Sequence, residues 1–163
     1  MVITGLIARA RLSATAPTCQ RVLSDLPSLA IALLFNSSVA GNISNHDMLG
    51  SMAFSCVAAG AKVVLGYARC DAVRGAIDNA EQGHLTGLLN EIKLAIEKTE
   101  YQGERKGSNY DSVDVAARKN VELTIENIRK NSPVLKQRED QQKIKIIGSM
   151  YHLSGDTVEF LYI

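Results

Sequence analysis

The sequence has no Trp, few Pro, three Cys and no surplus of charge of either sign. Cys19, Cys56 and Cys70 are odd in number and form no Cys-x-x-Cys pair, which argues against a disulfide framework or a self-contained zinc knuckle. A reducing, cytoplasmic compartment is the expectation. Lys and Arg number 18 against 17 Asp and Glu, and the signs are interspersed. No broad field is present to attract a polyanion, so nucleic acid is not an expected partner. The longest apolar run, Leu29 to Phe35, falls far short of the roughly 20 residues of a membrane helix. A soluble protein with no membrane partner is expected. Acidic residues are missing before Asp25, where Arg9, Arg11 and Arg21 stand. Organelle transit peptides share that composition, but no clear amphipathic face or cleavage site accompanies it, so targeting is the second reading beside a cytoplasmic one. Internal repeats and low-complexity segments are also missing.

The 163 residues suit one domain able to bury a core without disulfides or metals. Residues 47 to 59 read as a helix, with Asn45 or Asp47 as cap and Gly60 as stop. The run Ala61-Lys62-Val63-Val64-Leu65-Gly66 follows directly and reads as a buried strand feeding a loop. Helix then strand points to α/β layers. Leu85, Leu88, Leu89, Ile92 and Ile96 recur at helical spacing, which predicts an amphipathic helix. A polar loop from Tyr101 to Asn109 precedes a second helix, whose stripe is Val113, Ala117, Val121, Ile125 and Ile128. Asp111 or Ser112 is its expected cap, and Arg129 and Lys130 suit its negative end. Pro133 forbids simple continuation. A short helical segment around residues 134 to 141 is followed by two strands, Lys143 to Tyr151 and Thr157 to Tyr162, joined by the turn Ser154-Gly155-Asp156. Before Asn36, Pro17 and Pro27 break the pattern, and Leu29 to Phe35 fits strand or helix.

Three stretches carry a family resemblance. Ser38-Val39-Ala40-Gly41-Asn42, continuing through Asn45, Asp47, Leu49, Gly50 and Ser51, resembles an Arg-x-Ala-Gly-Asn segment and the helix after it. Gly60 through Ala76, with Tyr67-Ala68-Arg69-Cys70-Asp71 at its centre, resembles the strand and loop of a His-x-x-Cys-Gly zinc motif. Leu85-Thr86-Gly87-Leu88-Leu89, Ala117-Arg118-Lys119-Asn120-Val121 and Gly148-Ser149-Met150-Tyr151 continue the likeness. The family is the β-class carbonic anhydrases. The resemblance covers residues 35–163, leaving 1–34 as a poorly matching segment for which truncation or rearrangement is the expectation. It implies an α/β fold with a central, mostly parallel sheet flanked by helices and a C-terminal hairpin. It also implies a homo-oligomer, a dimer or larger, that interconverts carbon dioxide and bicarbonate. In the family one His and two Cys hold zinc, a donor set that suits a tetrahedral metal and leaves one position for a water whose pKa falls to about 7.

Carried over by position, Cys70 matches the second cysteine, while Tyr67 stands where the ligand His belongs. A phenol, with its ordinary pKa of about 10, is a poor ligand at neutral pH. Asp71 replaces the glycine that follows the cysteine. For the first cysteine two registers remain open. In one Asp25 takes the ligand position, with Pro27 and Leu29 where the family has a gating aspartate and its arginine. In the other Asp25 is that aspartate and Leu23 falls at the cysteine. Plainer readings stand beside these: Cys70 as a buried, unreactive thiol, Asp25 as a turn or cap residue, Cys56 as core, and His46, His84 and His152 as solvent-facing. Two functions follow. One is a carbonate dehydratase, impaired or inactive, with Cys70 as zinc ligand among an irregular set around Asp25 and Tyr67. The other is a non-catalytic, zinc-free scaffold or oligomer subunit. An anion-binding module using helix N-termini near Gly41 and Asp71 ranks last, because Asp71 repels anions.

Overall fold

The computed structural model describes residues 3–7, 34–59, 62–152, 155 and 157–161, while the side chains of 3–7, 34–38, 55–59, 62–65 and 67 fall outside that description. Asp25, Cys19 and the start of the Leu29 to Phe35 run lie outside it as well. The described strands are β1 (Ile3–Ile7), β2 (Leu34–Ser38), β3 (Lys62–Tyr67), β4 (Ile146–His152) and β5 (Thr157–Leu161), which form one sheet in the order β2-β1-β3-β4-β5. The α/β class and the C-terminal hairpin agree with expectation. The parallel share of the sheet does not. Only β3 and β4 run parallel, Lys62 opposite Ile146 and Tyr67 opposite Tyr151, whereas β1–β2, β1–β3 and β4–β5 are antiparallel. Among the described strands the sheet is therefore mixed. The cause lies at its two sides: β1, which the sequence reading did not anticipate, enters between β2 and β3 against the direction of both. On the other side β5 doubles back on β4 through a turn too short for a parallel crossover.

The helices are α1 (His46–Ala59), α2 (Asp71–Ile77), α3 (His84–Glu97), α4 (Tyr110–Asn131) and α5 (Pro133–Asp140). Asn45 caps α1, its side-chain oxygen accepting the Met48 N–H at 3.0 Å. The cap of α4 is Asn109, whose oxygen accepts the Ser112 N–H, so the expected caps Asp111 and Ser112 lie inside the first turn, after the half-in residue. Arg129 and Lys130 do occupy the last turn of α4. Ser132 leaves the helical region, and Pro133 opens α5, where its missing N–H costs nothing. Arg129 then clamps the two helices: Nε and Nη2 donate to Glu139 Oε2 and Oε1, both at 2.9 Å.

Packing follows the stripe of α4, which lies against β3 and β4. Val113, Ala117, Val121, Ile125 and Ile128 are all buried. Each of the larger ones contributes about 1.5–3 kcal/mol by leaving water. They join Met48, Leu49 and Met52 of α1, Val73 and Ala76 of α2, Leu89 and Ile92 of α3, and Met150 and Leu161 of the sheet in one apolar cluster. Leu85, placed on the α3 stripe by spacing, sits in the first turn of the helix and is 39% exposed. No helix among the described residues is long and apolar enough to cross a membrane.

Candidate metal centre

The loop that leaves β3 is short and held on several sides. Ala68 donates its N–H to the Tyr151 carbonyl at 3.0 Å, carrying the bond pattern between β3 and β4 one residue further. Arg69 then adopts the left-handed conformation, φ +57, and donates its N–H to Asp114 Oδ1 of α4 at 2.5 Å. Cys70 returns to extended backbone as the residue before α2, and its carbonyl accepts the Arg74 N–H at 2.9 Å. The residue is buried, 7% exposed, and belongs to the apolar cluster with Val73, Val113 and Ala117. A cysteine so placed packs as a small hydrophobe.

Charged groups surround the outer side of this loop and are largely occupied with one another. Asp71, in the position of the family glycine, is exposed and pairs with Arg74 Nη1 at 2.8 Å. Arg74 Nε donates to the Gly107 carbonyl at 3.1 Å, and Gly107 donates its N–H to Asp78 Oδ1 at 2.8 Å. The guanidinium carbons of Arg69 and Arg74 lie 4.8 and 5.7 Å from the centre of the Tyr110 ring. Loop, α2 and the start of α4 are thus joined by cation–π contacts as well as hydrogen bonds.

The second motif, Ala40-Gly41-Asn42, forms a short 3-10 turn in which Gly41 has φ +73. A Cβ at Gly41 would meet Ile92 Cδ1 at 2.3 Å, so glycine is required by conformation and by space. A buried polar network holds the turn to α4. Asn120 Nδ2 donates to the Gly41 carbonyl at 2.5 Å and to Asn42 Oδ1 at 3.1 Å. Thr124 donates its hydroxyl to the Asn42 carbonyl at 3.0 Å and accepts from Asn42 Nδ2 at 3.4 Å.

Zinc does not fit the residues described here. Cys70 supplies one thiol, already packed in the core. Tyr67 ends β3, with its side chain outside the description, and Asp25 lies outside altogether. Among the described residues no three of His, Cys, Asp and Glu come together as a metal-holding group. His46 and His84 are exposed, as expected. His152 is not simply solvent-facing: it is half-buried, with Nε2 3.1 Å from Glu159 Oε2. Cys19 and the Cys56 side chain lie outside the described set. A described cleft, about 290 Å³, opens elsewhere, between the end of α3 and α4, lined by Lys98, Glu100, Arg118, Lys119 and Glu122.

Sequence reasoning missed Arg69, Tyr110 and Asp114 as a unit. Nothing in the pattern announces a left-handed arginine or a bond spanning 45 residues. Asn120 and Thr124 did leave a signal, because two polar residues border the apolar stripe of a helix and need buried partners.

The profile of the family described as carbonic anhydrase matches residues 21–158. Comparison with curated protein sequences finds no match. Among solved structures, a Coccomyxa β-carbonic anhydrase in complex with acetazolamide is similar at 17% identity and TM-score 0.64, over 75% of this chain and 58% of that one. One of two tetrameric β-carbonic anhydrases from Sordaria macrospora is similar at 15% identity and TM-score 0.63, over 76% and 66%. The β-carbonic anhydrase CafD of Aspergillus fumigatus aligns over 89% and 83%, at 17% identity and TM-score 0.60. At such identities the likeness is one of fold. The chain spans less than two thirds of the length of the Coccomyxa and Sordaria proteins.

Proposed function

The chain belongs to the carbonic anhydrase family, in its β class, and we propose that in it the zinc-dependent interconversion of carbon dioxide and bicarbonate is impaired or lost. The observation that carries this reading is Cys70. It stands at a ligand position of the family motif, yet the residue is buried in the apolar cluster. Its motif partner at 67 is a tyrosine. When bound, zinc supplies a hydroxide at neutral pH, and its binding requires ligands that converge as deprotonated sulfur and neutral imidazole. A phenol and a core thiol do not make that set.

A second reading is favoured by the turn at Gly41 and Asn42. Four buried hydrogen bonds tie it to Asn120 and Thr124, so the scaffold is maintained where the metal chemistry is not. On that reading the protein is a zinc-free scaffold or a subunit of a homo-oligomer, an assembly consistent with the tetrameric Sordaria relatives. A cytoplasmic location belongs to the same proposal.

Both readings are tested together by measuring zinc per chain on protein purified without chelator and stopped-flow carbon dioxide hydration on the same sample. The expected result is zinc well below one per chain and a rate no greater than buffer. Stoichiometric zinc with hydration above background would overturn the proposal. Light scattering then separates the two readings, because a scaffold role in an oligomer requires a mass above that of one chain.

A further inference from the structure

Arg69 is a long side chain held at φ +57, immediately before Cys70. Residues with a Cβ disfavour this conformation, and it persists only where surroundings over-determine it. Two of the groups that do so come from one face of α4. Asp114 accepts the Arg69 N–H, and the Tyr110 ring, one turn earlier, lies under the Arg69 guanidinium at 4.8 Å. That turn of α4 is itself fixed. Asn109 caps it with its oxygen and donates Nδ2 to the Tyr101 hydroxyl at 3.0 Å and to the Glu104 carbonyl at 2.9 Å. The Asp71–Arg74 ion pair, by contrast, is solvent-exposed and contributes little by itself.

We propose that Asp114 and Tyr110 form a latch that keeps Arg69 left-handed and thereby turns Cys70 into the core. Asp114 is the positioning residue, acting on Cys70 through the Arg69 backbone. When the latch is removed, Arg69 relaxes toward ordinary backbone angles and the Cys70 thiol comes within reach of solvent. The inference rests on the loop geometry alone and stands whether or not the preceding functional reading holds.

Alkylation of Cys70 by iodoacetamide, followed at the peptide level by mass spectrometry so that Cys19 and Cys56 do not interfere, tests it. Asp114→Ala is expected to speed Cys70 labelling about tenfold, the factor for one lost hydrogen bond of ordinary strength. Asp114→Asn retains an acceptor and is expected to stay within about threefold of the parent. Asp111→Ala, on the same helix turn but off the loop, is the control with no change. Adding Arg69→Gly to Asp114→Ala is expected to restore slow labelling, because glycine holds φ +57 without a clamp. Unchanged labelling in Asp114→Ala, or no rescue by glycine, would overturn the latch. Should Asp114→Ala not fold, hydrogen exchange on the unmodified chain decides: the Arg69 amide is expected to exchange at least about a hundredfold slower than an unprotected amide, and unprotected exchange would sink the idea. Zinc measured in each sample distinguishes thiols blocked by metal, which would count against the preceding function, from thiols held closed by the latch.

Discussion

Asn120 donates one side-chain amide to two acceptors on the Ala40–Asn42 turn, 78 and 79 residues away in sequence. Truncation would strand the Gly41 carbonyl and Asn42 Oδ1 in a site where Asn42 is 2% exposed. Each orphaned group costs about 1–3 kcal/mol. Asn120→Ala is therefore expected to lower unfolding free energy by about 2–3 kcal/mol in urea titration, and a loss under about 0.5 kcal/mol would mean that water replaces the amide. Gly66 is a second fixed point. A Cβ there would sit 2.5 Å from Val121 Cγ2 and 2.8 Å from Met150 Sδ, so β3 approaches α4 at glycine distance. Val121 is β-branched and rotationally stiff in a helix, and Gly66→Ala is expected to cost about 1–3 kcal/mol by the same titration. Residue types at the candidate centre were legible in the sequence, since Tyr67, Cys70 and Asp71 are read by position. Their surroundings were not. Whether a thiol faces a metal or a core depends on the turn before it, and the Arg69–Asp114 bond that sets this turn has no local signature.

Among the elements, length decided what could be read in advance. The 22 residues of α4 repeat their apolar period several times, and α3 with 14 does so often enough. At seven residues, with Gly75 inside it, α2 completes barely two turns, too few for a period to stand out from a loop. The five residues of β1 offer a similarly brief signal, and strand direction is set by neighbours rather than by residue type. The parallel fraction of the sheet was overestimated for that reason. The α4 cap was misread because Asp111 and Ser112 are both competent capping types, whereas the choice falls to Asn109 through its bonds to Tyr101 and Glu104. Asn109→Ala is expected to lower stability by about 1 kcal/mol, with a smaller effect for Asp111→Ala. Thermal melts followed by circular dichroism distinguish them, and equal losses would indicate that α4 starts later than Tyr110.

Across the whole molecule, two ion pairs tie helices to the chain that follows them, and both weaken in acid. Arg129 bonds Glu139 at both carboxylate oxygens, joining α4 to α5, and Glu139 Oε1 also accepts the Ile146 N–H at the start of β4. Hydrogen bonding from Arg129 holds the Glu139 carboxyl below the usual carboxylate value of 4.5. Arg118 and then His152 do the same for Glu159, joining α4 to the hairpin. In the unfolded chain both groups return to ordinary carboxylates, so their contribution is complete above pH 4.5 and is lost as pH falls through the lowered folded values. Glu159 is half exposed and its contribution is modest. Glu139, 20% exposed, carries more. Melting temperature is accordingly expected to fall as pH drops from about 5 to 3, and Arg129→Met is expected to flatten that fall, because the largest cause of the lowered Glu139 value is then gone. Melts of both proteins at half-unit pH steps measure the difference. If the two curves run parallel through that window, the acid sensitivity belongs to other carboxylates, and the clamp between α4 and α5 holds by packing around Leu135 rather than by charge.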